Sequence, residues 1–211
     1  MPAEPGLKRA VAFVDGQNLF RATQAAFGCT YPNYDVQALS QKICEAKGWN
    51  LLQVRFYTGI PDPSDDPFWN HFWITKLRVM SWQKVHVFSR RLRYRNRRIK
   101  LPDGSTYNFL AGEEKGIDVR IAIDVIRLGH RREYDVALIF SQDQDLSEVA
   151  EEIRAIAQEQ LRWIKVASSY PVSPTVPNSR GINKTDWIPI TRAIYDACLD
   201  PRDYRPKPPR P

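Results

Sequence analysis

Short runs of purely apolar residues alternate along this chain with longer stretches whose apolar residues return every third or fourth position. That alternation constrains the fold more than any other feature. Residues 10–14 (AVAFV) and 136–140 (VALIF) are the purest runs, and strands of that kind have to be covered on both faces. Residues 51–58, 85–88 and 163–167 read as three further strands. Between them, residues 18–27, 34–47, 68–82, 117–128, 146–160 and 190–198 read as helices, the first two stopped by Gly28 and Gly48. Strands interleaved with helices predict an α/β fold, a three-layer α/β/α domain around a mainly parallel sheet. Residues 1–200 make up that single domain. From Pro201 onward the chain is rich in proline and cations, and is expected to be an extended, partly disordered tail.

At 211 residues and 43% apolar, a domain can bury roughly 70% of the surface of its unfolded chain, so no disulfide or structural metal is needed. Cys29, Cys44 and Cys198 lie far apart, as do His71, His86 and His130. That scatter argues against zinc, and the odd thiol count fits a reducing cytoplasm. Residues 1–9 lack the apolar segment of a secretion signal, and no run is long enough to span a membrane. No Walker A or GxGxxG sequence follows a strand, so nucleotide-cofactor loops are not expected. The oligomeric state stays open between monomer and homodimer.

The net charge of +7 becomes informative once located. Arg90, Arg91, Arg93, Arg95, Arg97, Arg98 and Lys100 stand in eleven residues that contain no acid, and without them basic and acidic residues are equal in number. A cationic stripe on a balanced background points to a polyanion. A Pro102-Asp103-Gly104 turn and the strand-like residues 107–110 make this stretch a projecting β-hairpin, an insertion over about residues 89–111. Between Arg91 and Arg97 every second residue is arginine, so those side chains share one face of a strand while Leu92 and Tyr94 turn toward the domain. Guanidinium forks match phosphate oxygens, so Arg91, Arg93, Tyr94, Arg95, Arg97, Arg98 and Lys100 are the expected nucleic-acid contacts.

Three acidic sites stand out. Asp15 ends the first strand, with Asn18 one turn into the next helix. Asp143 and Asp145 follow the VALIF strand, and in the common strand order these two strands are neighbours. Ligands of open α/β sheets bind where strand order reverses, at the carboxyl ends. A turn aspartate such as Asp145 before Leu146 often serves only as a helix cap, but carboxylates meeting across a sheet repel and need a cation. Asp118 is the third site; Ile121, Ala122 and Val125 continue its stripe, which places it on the sheet-facing side of its helix. Asp124 lies about 120° around that helix, between Arg120 and Arg127, and reads as an ion-paired surface acid of secondary interest. Oxygen ligands without histidine or thiolate select Mg²⁺ or Mn²⁺, and several carboxylates beside a cationic stripe suit phosphodiester hydrolysis.

On the segments VAFVDGQN (residues 11–18), EKGIDVRIAIDVI (114–126) and ALIFSQDQDLSEV (137–149), the chain resembles the NYN domains, the LabA-like branch of the PIN nuclease superfamily. The resemblance implies a PIN-like fold and a metal-dependent ribonuclease acting on single-stranded or structured RNA, by endonucleolytic cleavage. It assigns metal binding or its support to Asp15, Asn18, Asp118, Asp143 and Asp145, and also places an acid at Asp124. The chain departs from the family at Gln142 and Gln144, where glycine and a small residue are common; long side chains there are expected to crowd the metal pocket. The extra glutamate of many PIN nucleases has no evident counterpart.

On this reading Asp15, Asp118 and Asp143 hold the ion, Asp145 completes the site or positions water, and Asn18 orients a ligand. Lys115 reaches the scissile phosphate or is simply solvated. Phe68, Trp69, Phe72, Trp73 and Trp82 stand at helical spacing and read as core rather than as a base-stacking platform. The competing reading is a non-catalytic RNA-binding module on the same scaffold. A haloacid-dehalogenase-type phosphotransferase fits less well, because Asp15-Gly16-Gln17 lacks its second aspartate.

Overall fold

The structure, a computed structural model, describes residues 2–176 and 180–207, apart from the side chains of residues 109 and 110. Pro177 and the last four residues of the tail lie outside the described residues.

Six strands form one sheet in which every pair is parallel: β1 (Lys8–Asp15), β2 (Trp49–Ile60), β3 (His86–Arg91), β6 (Val136–Phe140), β7 (Lys165–Pro171) and β8 (Asp186–Ile190). Their order is β3-β2-β1-β6-β7-β8. The two apolar runs are thus the central pair, buried along residues 10–14 and 136–140. Helices α1 (Gly16–Phe27), α2 (Val36–Ala46), α3 (Pro67–Trp82) and α6 (Arg192–Asp196) cover one face; α4 (Ile117–His130) and α5 (Ser147–Glu159) cover the other. Two apolar cores result. Leu19, Leu39, Phe72 and Trp73 belong to the first, and Ile121, Val125, Val149 and Ile153 to the second. Chain order runs outward from β1 on one side and from β6 on the other, so the switch point falls between their carboxyl ends.

The basic stretch forms a separate antiparallel hairpin, β4 (Arg93–Lys100) and β5 (Thr106–Glu113), pairing Arg93 with Glu113 and Lys100 with Thr106. Arg90 and Arg91 are not in it; they extend β3. Of the five aromatics on α3, Phe72 and Trp73 are buried core, Trp69 is part-buried, and Phe68 and Trp82 are exposed.

Three expectations at the carboxyl end need correction. The fifth strand runs Lys165–Pro171 rather than over 163–167. A sixth, β8, occupies Asp186–Ile190, where a helix was expected to begin only at its last residue. Its sequence DWIPI alternates exposed and buried, the pattern of a half-covered strand. Pro189 tolerates only an edge position, where a missing N–H breaks no ladder. Thr191 then caps the short α6, its side chain accepting from the Ile194 N–H. Finally, the tail is docked rather than free as far as Tyr204. That side chain is 4% exposed, lies edge-on to Phe72 with ring centroids 5.9 Å apart, and donates to Asp200 at 2.6 Å. Beneath it Lys76, 1% exposed, donates to the Tyr34 carbonyl at 2.9 Å and pairs with Asp200 at 3.5 Å.

Candidate active site

The switch point is built around the end of β1. Asp15 is 6% exposed and is followed at once by α1, without a connecting loop. Only glycine permits that turn, because a Cβ on Gly16 would lie 2.5 Å from the Phe56 ring and 3.0 Å from the Tyr57 carbonyl. One Asp15 carboxylate oxygen caps α1 by accepting from the Asn18 N–H at 3.1 Å; the other accepts from the Ser141 hydroxyl at 3.3 Å. Ser141 Oγ accepts in turn from the Asp143 N–H at 3.1 Å, and the Asn18 side-chain oxygen Oδ1 accepts from the Gln142 N–H at 2.9 Å. These bonds stitch the β1–α1 corner to the loop after β6. Ser141 was not singled out in the sequence, and Asn18 acts here by holding that loop.

Asp143, rather than Asp145, is the capping residue of the following 3-10 turn: it accepts from the Asp145 N–H at 3.0 Å. Asp145 is exposed within that turn. Asp15, Asn18 and Asp143 line one cleft of ≈ 280 Å³, together with Arg21, Gln142 and Glu114. Asp118 lies in the first turn of α4, near enough for its charge to act on both Asp15 and Glu114.

Glu114 is the acid that sequence reasoning missed, although the quoted EKGIDVRIAIDVI segment begins with it. It follows β5, and Oε1 accepts from the Gly59 N–H. Gly59 leaves room for it, since a Cβ there would lie 2.7 Å from Glu114 Cγ. Burial and the Asp15 carboxylate push the Glu114 carboxyl up to about 7, against the Gly59 N–H and the Arg21 guanidinium. Burial likewise raises Asp15 to about 6, against bonds from Asn18 and Ser141, with the Asp143 and Asp118 charges adding to the rise. The cleft therefore holds more negative charge than its own cations balance, which a divalent ion would offset. The donor set is all oxygen and fits Mg²⁺ or Mn²⁺ chemically. Among the described residues, no three carboxylate, histidine or thiolate groups stand close enough to hold an ion as they are.

Of the two glutamines expected to crowd the cleft, Gln142 is part of its lining and Gln144 is not. The Gln142 amide donates to the Arg180 carbonyl at 2.8 Å. Gln144 donates to the Gly181 carbonyl at 3.1 Å and accepts from the Asn183 N–H at 3.1 Å. Both side chains are spent on fastening the segment before β8.

Asp124 requires a correction. It is ion-paired as expected, but it is 1% exposed rather than on the surface. It accepts from Tyr57 at 2.9 Å and Arg55 at 3.2 Å on β2, and from Arg120 at 3.2 Å and Arg127 at 3.1 Å on its own helix. Its position on α4 faces the sheet where these β2 side chains emerge. Burial alone would raise its pKa, yet the bonds from Tyr57 and Arg120 and the Arg55 charge hold it below the usual range. Its lone pairs are committed to this knot.

The hairpin stands next to the carboxylates. Arg21 and Glu114 also line a cleft of ≈ 510 Å³ whose far wall is Arg97, Gly112 and Glu113. As expected, Leu92 and Tyr94 turn inward: Leu92 approaches Gly59 and Gly112, and the Tyr94 hydroxyl accepts from the Asp62 N–H at 3.3 Å. Glu113 pairs with both Arg95, at 3.7 Å, and Arg97; Asp62 pairs with Arg91 at 3.1 Å; and Arg98 donates to Asn108 at 3.2 Å. Among the described residues Arg93 and Lys100 have no ion pair. Lys115 is exposed, and its carbonyl accepts from Arg90 at 3.5 Å. Arg21, a cation lining the cleft with the acids, carried no sequence signal, being one arginine on an exposed helix face.

Residues 9–163 match the NYN domain family. The chain belongs to that family. The matched span of this NYN domain holds Asp15, Glu114, Asp118, Asp143 and the hairpin, and ends before β7. NYN membership points to a nuclease of the PIN-like superfamily. No curated protein matches the chain. Similar solved structures include a Vibrio parahaemolyticus protein of unknown function, 18% identical, covering 93% of this chain and 99% of that one with a TM-score of 0.49. Another is ribokinase from Giardia lamblia, 10% identical, covering 87% and 58% with a TM-score of 0.39. Neither likeness bears on the chemistry of this NYN domain.

Among its described residues no helix is long and apolar enough to cross a membrane.

Proposed function

We propose that this NYN domain is a Mg²⁺- or Mn²⁺-dependent ribonuclease of the LabA-like branch, cleaving within RNA chains in the cytoplasm. The observation that carries the reading is the convergence of Asp15, Glu114 and Asp143, from three distant stretches of chain, on one cleft within reach of the Asp118 charge. Asp15, Asp118 and Asp143 are the residues that would hold the ion, with Asp145 at the rim contributing through water. A bound divalent ion lowers the pKa of water and offsets charge on a phosphoryl group. Asn18 and Ser141 keep the loop after β6 against Asp15, so the acids stay together without substrate.

Glu114, poised near neutrality by burial and by Asp15, suits a general base. It takes a proton from the attacking water as that oxygen bonds to phosphorus; the bond to the leaving ribose oxygen breaks, and that oxygen acquires a proton from solvent. Arg21 and Arg97, facing each other across the adjoining cleft, bind the flanking phosphates, with Lys115 exposed nearby.

The second reading, an RNA-binding module without catalysis, is favoured by the spacing of the acids, none of which form a ready three-ligand site among the described residues. One experiment separates the two. A labelled circular RNA is incubated with Mn²⁺ and the wild type or Asp15→Asn, Asp118→Asn or Asp143→Asn, each checked for folding by circular dichroism. Cleavage by the wild type, reduced roughly 100-fold or more in each variant, is expected. Full activity in all three variants refutes this site, and binding without any cleavage selects the second reading.

A further inference from the structure

Beside the carboxylates lies another cleft, of ≈ 390 Å³, that hydrolysis as described leaves unused. Its walls come from separate elements: α1 contributes Gln17 and Phe20, α3 contributes Trp69, and the foot of the hairpin contributes Leu92 and Tyr94. Phe20 and Trp69 are part-buried with ring centroids 5.7 Å apart, and both rings line the cleft. Gln17 also lines the carboxylate cleft, and Gly112 also lines the cleft between Arg21 and Arg97. Acids, guanidinium groups and aromatic walls thus share one continuous surface. A space of this size suits a single nucleobase, and aromatic side chains stack on bases along a single strand.

The rim determines which base. Asp62, Asp65 and Asp66 lie near the Tyr94 hydroxyl, which burial and their charges hold above its usual pKa. Two of them are engaged. Asp62 accepts from Ser64 and Arg91, and Asp66 caps α3 by accepting from the Trp69 N–H at 3.0 Å. Asp65 lines the cleft, is exposed, and among the described residues has no hydrogen bond or ion pair at its carboxylate. An ionised carboxylate only accepts. Guanine alone among the four bases offers two adjacent donors on its pairing edge, N1–H and the N2 amine. Adenine and cytosine set an acceptor beside their amine, and uracil flanks its single N–H with carbonyls.

We propose that this cleft takes an unpaired guanine of the RNA strand, its ring against Trp69 and Phe20 and its pairing edge donating to Asp65. The inference rests on RNA being the ligand, as proposed above, but not on cleavage.

The test is fluorescence anisotropy of the full chain, in EDTA, with labelled hexauridylate and with hexamers carrying one central G, A or C. The guanine oligomer should bind about 5- to 150-fold more tightly than the others, the discrimination of one bidentate base contact. Asp65→Asn, on an exposed loop, should abolish that preference, because an amide pairs with a donor–acceptor edge that all four bases offer. Equal affinity for all four oligomers, or a guanine preference that survives Asp65→Asn, overturns the inference. If Mn²⁺-dependent cleavage persists in that case, the nuclease reading stands alone. A guanine preference without cleavage leaves the pocket standing and removes the nuclease. Absence of binding to every oligomer overturns the inference, and Mn²⁺-dependent cleavage then decides the nuclease reading separately.

Discussion

Replacing Asp124 by alanine separates a structural acid from a catalytic one. The substitution leaves the Arg55 guanidinium, 14% exposed, and the buried Tyr57 hydroxyl without their shared acceptor. Breaking a buried ion pair by removing one partner costs about 3–5 kcal/mol. The Arg120 and Arg127 arms, at 32% and 43% exposure, add at most about 1 kcal/mol each after screening. For a chain of this length each kcal/mol moves the melting temperature by roughly 2–4 °C, so a fall of roughly 6–28 °C is expected. Circular dichroism melts at pH 7 measure it, with RNA cleavage assayed well below both transitions and expected to persist. The pH dependence has a definite sign. Asp124 is held below its usual pKa, so its stabilisation is present above about pH 3.9, the unfolded value, and is lost as pH falls through the folded one. The gap between wild type and Asp124→Ala should therefore close in acid. An unchanged melting temperature accompanied by lost cleavage would refute the structural assignment and return Asp124 to the active site.

Two further measurements follow from buried and surface charge. Burial, opposed chiefly by Asp200, lowers Lys76 from 10.5 to about 8; the unfolded chain then holds the extra proton between those values, and stability should rise with pH across that window by roughly 3 kcal/mol. The difference in urea midpoint between wild type and Lys76→Met reads this out, and no pH dependence in that difference contradicts it. On the hairpin, single-stranded RNA binding through about four phosphates should give a log K against log salt slope near −3. Arg93→Ala or Lys100→Ala, without ion pairs to lose, should reduce the slope by about 0.7 each, whereas Arg91→Ala, tied to Asp62, should change it less; a flat salt response removes the ribbon from the binding surface.

The element pattern was legible wherever burial on both sides forces a uniform composition. AVAFV and VALIF could be little else than central strands, and they are the central pair. Legibility failed where a segment is only half covered. DWIPI alternates, carries a proline, and becomes a strand because β7 offers it a ladder. Tyr204 sits in a proline-rich, cationic tail that composition marks as loose, yet Phe72 and Lys76 provide a berth for its ring. The acids divide in the same way. Asp15 and Asp143 could be paired from strand order alone, whereas Asp124 and Asp118, six residues apart on one helix, differ in role through what β2 presents to each.

Local sequence was sufficient for the two central strands and most of the helices, the layered sheet, the cationic hairpin and the acids at the sheet's reversal, because periodicity and turn chemistry act over a few residues. The rest was decided by contacts across the folded chain. The Gly59 N–H engages Glu114, guanidinium groups surround Asp124, and Gln142 and Gln144 are drawn toward the segment before β8. A carboxylate's charge state and orientation depend on the donors that reach it through space, and those donors are brought by elements far away along the polypeptide.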